Sequence, residues 1–362
     1  MTSNKNPHVN AGVQANIGMD FQKNCTIYLL LSKFAELDSK KYFITLEHIE
    51  DIIFGFLNEN NELYKIETCQ AKKSTSKWTI GSLIEIIQKI TETSYHILSD
   101  PYPKTHDFFQ ENYFATNNTI ELKVSINKVP YTETVNETNE QVSYCSLQQP
   151  IKDKILKGNN TTTFTSTNIG NLDTLIFKYV DMGRTPKAQL YQLNGMFVSV
   201  FEDTIKDHKA ALYTLYYALE KIEREFNQGN IAKLNDQKKK INSNEINEIF
   251  DIFTKKKLAF DFWRDKGEEI CEALDVSLFD VQFFKLHYQN SVDKFKDITE
   301  SEHKRVLDFV NENKTIFRNS TRDKDCILKF VNEFNKRKSS TLRQLHLKAI
   351  IAAAYIEVKH NL

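Results

Sequence analysis

Glu47, Asp51, Gln70 and Lys72 have the types and spacing that divalent-metal chemistry on phosphodiesters uses. Such hydrolysis needs oxygen ligands for a hard cation and a cationic group near the attacking water or the non-bridging oxygens. A recurring solution sets an Asp at the start or bend of one strand and an (Asp/Glu)-x-Lys pair on its hairpin neighbour. Gln70-Ala71-Lys72 has the i, i+2 spacing of that pair, which on a strand turns both side chains to one face. Asp51 stands across a turn on the preceding segment, and Glu47, four residues earlier, can complete the cluster. Gln70 is neutral where a carboxylate is commoner; its amide oxygen can still ligate a hard metal, but weaker binding is expected. Glu67 cannot take its place, because a regular strand turns it to the opposite face. An Asp followed by Gln-x-Lys arises by chance in many chains of this size. A turn aspartate and solvated strand-end lysines are the alternative reading of the bare residues.

These groups need a sheet to hold them, and the pattern around them supplies one. Phe21, Cys25, Tyr28 and Leu29 fall at helical spacing between Ile17 and Phe34. Tyr42 to Glu47, Asp51 to Leu57 and Leu63 to Lys72 read as three strands, rich in aromatic and β-branched residues. Ile80, Leu83, Ile84, Ile87 and Ile90 mark an amphipathic helix, and Tyr113–Thr116 and Ile120–Val124 are further strands. The order is α-β-β-β-α-β. Thr132 to Gln149 is polar and expected to be a loop or excursion, and strand character returns from Leu175 to Val180. Beyond that the periodicity is helical, over Leu190–Ile205 and Leu212–Phe226. Asn227 to Asn247, rich in Asn, Lys and Gln, reads as a linker. Helical segments follow around Phe250–Trp263, Val281–Phe295, Val306–Phe317 and Leu342–Ile356, with no internal repeat of fixed period.

The 362 residues suffice for two domains. Lys plus Arg equals Asp plus Glu at 48 each, so the basic excess typical of nucleic-acid binders is missing, and any such binding must rest on a local strip, a partner or self-association. Five scattered cysteines without a CxxC pair argue against a zinc site and for a reducing compartment. Met1 to Asn10 lacks the apolar core of a signal peptide, and Ala349–Tyr355 is too short to span a bilayer, so a cytoplasmic protein is expected. His48 has no second His at metal-binding spacing, and His96 and His106 read as loop residues. Gly81 and Gly158 belong to no phosphate-binding loop. The Lys238–Lys240 and Lys255–Lys257 runs read as solvated faces.

Gly12 and Gly18 before Phe21-Gln22, then Leu46-Glu47-x-x-Glu50-Asp51-Ile52, then Thr68-Cys69-Gln70-Ala71-Lys72, resemble the dsDNA-nuclease domain of bacterial antiphage effectors. That group belongs to the PD-(D/E)XK superfamily and includes the CBASS endonuclease and the LmuA-like nuclease of Lamassu systems. Met19-Asp20-Phe21-Gln22 departs from the family's helix motif, and Ala71 stands where Val is commoner. The resemblance covers the first hundred residues and extends loosely to Ile222. It implies an α/β restriction-endonuclease-like domain with its trailing helices over residues 1–226, followed by an all-α partner-binding or oligomerisation domain over 227–362. It also implies a Mg²⁺-dependent deoxyribonuclease, with Mn²⁺ as a substitute, acting on double-stranded DNA. Asp51 would be the principal metal ligand, completed by Gln70 and the Ala71 carbonyl. Lys72 would orient or deprotonate the attacking water, and Glu47 and Gln22 would be accessory. Co-encoded partners such as an SMC-like ATPase and a small accessory subunit would hold the enzyme, which can also self-associate. An Mrr-like or CBASS-type nuclease, or an inactive nuclease-fold adaptor, are the alternatives.

Overall fold

The computed structural model describes residues 11–205, 207–226, 232–295 and 301–360. Met1–Asn10 and the start of the expected linker, 227–231, lie outside them. The chain divides into two compact units, one of residues 1–202 and 208–247 and one of residues 203–207 and 248–362. The boundary expected after residue 226 thus falls after Asn247.

The first unit opens with helices α1 (Ala11–Ser32) and α2 (Phe34–Leu37), then strands β1 (Lys41–Leu46), β2 (Ile52–Leu57), β3 (Leu63–Ala71) and β4 (Trp78–Thr79). Helix α3 (Ile80–Ser99), strands β5 (Lys104–Thr116), β6 (Ile120–Ile126), β7 (Val129–Val135) and β8 (Gln141–Ser143), and helices α4 (Gln149–Leu156) and α5 (Ser166–Gly170) follow. Strand β9 (Leu175–Tyr179), helices α6 (Pro186–Phe201) and α7 (His208–Arg224), and strand β10 (Lys240–Asn242) complete it.

Seven strands form the main sheet in the order β10-β1-β2-β3-β5-β9-β8, and β4, β6 and β7 form a second one. β1, β2 and β3 are an antiparallel meander, and β5 and β9 run parallel beside β3. The parallel step from β3 to β5 requires a crossover, and α3 provides it. Its Leu83, Ile84, Ile87 and Ile90 pack in one buried cluster with Phe114, Leu122 and Phe177. α1 meets the sheet from the other side: Cys25 hydrogen-bonds Cys69, which points away from the face that carries Gln70.

Three expectations need correction. The stretch from Thr132 to Gln149 is not a loop: β7 pairs with β6 from Ile120↔Val135 to Ile126↔Val129, and β8 edges the main sheet. Its polar residues fit because most of β7 is not deeply buried. The expected linker contains β10, which pairs with β1 through Thr45↔Lys240, and Lys239 and Lys240 of the supposedly solvated run are buried. His96 lies in α3 and His106 in β5, not in loops.

Gly55 shows how closely β1 and β2 pack. It pairs with Phe43, and a Cβ built on Gly55 would lie 2.3 Å from the Phe43 ring. That ring is buried and also faces Tyr102, with centroids 6.0 Å apart. Gly55→Ala therefore has to displace a packed aromatic ring and is expected to cost about 1–3 kcal/mol of stability, as overpacking does. Urea unfolding would measure it, and an unchanged midpoint would show that the ring moves freely.

The second unit is helical. α8 (Ser243–Ala273) leads into α9 (Val281–Lys294), α10 (Ser301–Glu312), α11 (Thr315–Arg318), α12 (Asp323–Arg337) and α13 (Gln344–Lys359). Its core joins Phe284, Tyr288, Phe330, Phe334 and Ile350, with Ala349 to Ala354 fully enclosed. Among the described residues no helix is long and apolar enough to cross a membrane.

Candidate active site

The turn between β1 and β2 begins where Glu47 takes a left-handed φ of 45°, a strained conformation for a non-glycine residue. The Glu47 N–H donates to the Asp51 carbonyl at 3.1 Å, and the His48 N–H to the Glu50 carbonyl at 3.3 Å. This tight closure sets Glu47 and Asp51 at the two ends of one turn. β2 then pairs with β3 up to Ile52↔Cys69, which leaves Asp51 just before the start of β2, beside the end of β3 that carries Gln70 and Ala71 and leads into Lys72.

Asp51 meets Ala71 and Lys72 directly. Asp51 Oδ2 accepts hydrogen bonds from the Ala71 N–H at 3.0 Å and from Lys72 Nζ at 3.2 Å. The Asp51 side chain is 11% exposed and that of Lys72 39%, so the pair sits at the mouth of the site. In an extended strand a residue's N–H and C=O point to the same neighbour, which turns the Ala71 carbonyl toward Asp51 too. Gln70 is buried. Glu67 is excluded, as expected: it bonds Lys33 and Lys65 away from the site.

Gln22, from α1, hydrogen-bonds the Glu47 side chain. Its own Oε1 is buried without a hydrogen-bond partner among the described residues. Burial first, and the neighbouring Asp51 second, raise the Glu47 carboxyl above its ordinary range, against the opposing pull of Gln22 and Lys72. Glu50 is affected more: burial and then Asp51 push it up to about 7, although it accepts the Asp51 N–H at 3.1 Å.

Comparison with protein-family models, with characterised proteins and with solved structures finds no match.

Whether a hard divalent cation suits these residues can be judged from their chemistry. Glu47, Asp51, Gln70 and the Ala71 carbonyl offer oxygen alone, the donor type that Mg²⁺ and Mn²⁺ prefer. Glu47 and Glu50, raised by burial and then by the neighbouring Asp51, and an orphaned buried amide oxygen on Gln22, are what a cation would relieve. Among the described residues no group of three or more His, Cys, Asp or Glu is arranged to hold a metal. An ion here would thus depend on amide and carbonyl oxygens as much as on carboxylates. The residues fit a weakly held hard cation.

Further charged groups surround the site without any signal at sequence level. Lys23, beside Gln22, pairs with Glu223 of α7 at 2.8 Å, both side chains almost wholly buried. Lys239 donates to the Glu223 and Glu225 carbonyls at 3.3 and 3.1 Å. Contacts between residues 200 apart leave no periodic trace. His48 Nε2 lies 2.7 Å from the Lys233 carbonyl.

Proposed function

We propose that the chain is a metal-dependent DNA endonuclease of the PD-(D/E)XK type, acting in bacterial antiphage defence as LmuA-like Lamassu nucleases do. The convergence of Lys72 Nζ and the Ala71 N–H on one oxygen of Asp51 carries the reading. The fold supports it: a helix, an antiparallel β1-β2-β3 meander, a crossover helix and β5 parallel to β3 realise the α-β-β-β-α-β order that this chemistry uses.

Asp51, Glu47, Gln70 and the Ala71 carbonyl would hold Mg²⁺ or Mn²⁺. When bound, the ion supplies Lewis-acid polarisation of the phosphate and acidifies water. The remaining work belongs to the protein. The Ala71 N–H fixes the orientation of Asp51, Gln22 holds Glu47, and the burial of Gln70 limits its rotamers. Lys72, half-exposed, presents its ammonium where charge develops on the scissile phosphate and can donate to the oxygen of the attacking water and so orient it; only as the neutral amine could it take the water's proton. The inactive-adaptor reading draws on the neutral Gln70 and on a Lys72 already paired to Asp51.

By the same reading, co-encoded defence proteins hold the enzyme until DNA is to be cut. Leu278 and Phe279, 95% and 84% exposed in the helical unit, are apolar surface of the sort a partner covers. The test is cleavage of plasmid and linear duplex DNA by the purified chain, alone and with its co-encoded proteins. Cutting is expected with Mg²⁺ or Mn²⁺ and not with a chelator. A folded protein that cuts no duplex under any of these conditions would favour the adaptor.

A further inference from the structure

At the far ends of β1 and β2 from the candidate active site lies a second cavity, of about 520 Å³. Lys41, Phe43, Leu57 and Tyr102 form part of its wall, and the segment from Asn235 to Asn244 closes it. A ligand pocket typically measures 300–1,000 Å³. Six of its lining residues carry side-chain amides, two are lysines and none is acidic, a bias absent from the chain as a whole, where the charges balance.

Lys240 is the decisive residue. It is 9% exposed, and its ammonium lies 4.1 Å from the Phe43 ring centroid and 4.4 Å from that of Tyr102. Two aromatic faces steady a cation but accept none of its N–H bonds in the manner of an oxygen. Among the described residues no carboxylate or other oxygen accepts from this ammonium. The nearest acids are committed elsewhere: Asp100 accepts from the Tyr102 and Leu234 N–H groups, and Asp236 from that of Lys238. Burial accordingly pushes the Lys240 ammonium down to about 8. A lysine whose stem is buried, whose ammonium faces a cavity without acids and from which no oxygen among the described residues accepts, is placed to take an anion.

We infer that this cavity is a binding site for a small phosphorylated molecule of about nucleoside-monophosphate size. Lys240 and Lys41 would take the phosphate as point charges, Tyr102 offers a partly exposed ring, and the amides of Asn60, Asn244 and their neighbours hydrogen-bond hydroxyls or a base edge. A ligand there would join the β1–β2 end of the sheet to the segment that becomes α8. The inference does not depend on the nuclease reading.

Calorimetric titration of the full chain in chelator tests it, with inorganic phosphate, ribose 5-phosphate and adenosine monophosphate as probes. At least one should bind saturably at one site per chain, and comparing the three shows whether phosphate, sugar or base carries the affinity. Lys240→Met keeps the packing volume but removes the charge and should weaken binding about tenfold or more. Lys240→Arg should retain it, and Lys72→Ala should leave it unchanged. If Lys240→Met does not fold, Lys41→Ala replaces it, with the same direction expected. No saturable binding of any probe overturns the proposal. So does binding indifferent to these lysines, or binding lost with Lys72, which would place the ligand at the candidate active site instead.

Discussion

Lys72→Ala is expected to abolish metal-dependent cleavage of duplex DNA while leaving the protein folded. The Lys72 side chain is 39% exposed and, among the described residues, its ion pair is with Asp51, so truncation removes little packing, although it also takes the counter-charge from a carboxylate that is only 11% exposed. Its value under the proposed function lies in the transition state, where one preorganised cationic group is commonly worth about a hundredfold or more in rate. Asp51→Ala should be as severe for activity but less clean, because it also strips the acceptor from the Ala71 N–H, a loss of about 1–3 kcal/mol for a buried donor. Gln70→Glu is expected to retain activity, since it restores the commoner ligand and its charge. Cleavage assays on these three variants with circular dichroism as the folding control decide the matter. Undiminished cutting by a well-folded Lys72→Ala protein would place the chemistry elsewhere in the chain.

The largest stability effect is expected at Glu223. Its side chain is 4% exposed and that of Lys23 5%, and they meet through two hydrogen bonds of 2.8 and 3.0 Å. Glu223→Ala leaves a buried ammonium with only the half-exposed Asp20, at 3.5 Å, as a counter-charge. Breaking a buried pair from one side typically costs about 3–5 kcal/mol. The double replacement Lys23→Met, Glu223→Leu removes both charges and should recover most of the loss, because the pair's attraction mainly offsets its own desolvation. Denaturant unfolding of the two singles and the double gives the coupling. A loss below about 1 kcal/mol in Glu223→Ala would mean that water reaches Lys23.

The contrast between these two sites shows what was legible in the sequence. The three meander strands and the α3 crossover follow from local periodicity, and Asp51, Ala71 and Lys72 came together because antiparallel pairing and i, i+2 spacing are local rules. Glu50 is part of the motif but carries no assigned role there, since burial and the neighbouring Asp51 are what make it unusual. β10 was misread for a different reason. Lys239 and Lys240 look solvated by type, yet both are buried, one donating to carbonyls and the other resting between rings. A polar composition describes a linker only when the backbone has nothing to pair with, and here β1 offers an open edge. β7 and β8 were missed likewise, since their apolar residues are few while their backbone ladders are regular.

That open edge has a consequence during synthesis. β1 carries the run Lys-Tyr-Phe-Ile-Thr-Leu, buried but for its first residue, and the strand that covers it arrives far downstream, Tyr42 meeting Ser243, 201 residues later. At translation speeds of about 5–20 residues per second, the ribosome needs on the order of ten to forty seconds to deliver it. Throughout that interval an apolar strand with unpaired N–H and C=O groups is displayed on the nascent chain, the arrangement that recruits neighbouring polypeptides into intermolecular sheets. Once the chain is finished, the sheet's two outermost strands are only three residues long each, too short to template another copy. The brevity of β10 thus limits edge-to-edge pairing of the mature protein, and its lateness leaves the unfinished one with an open edge.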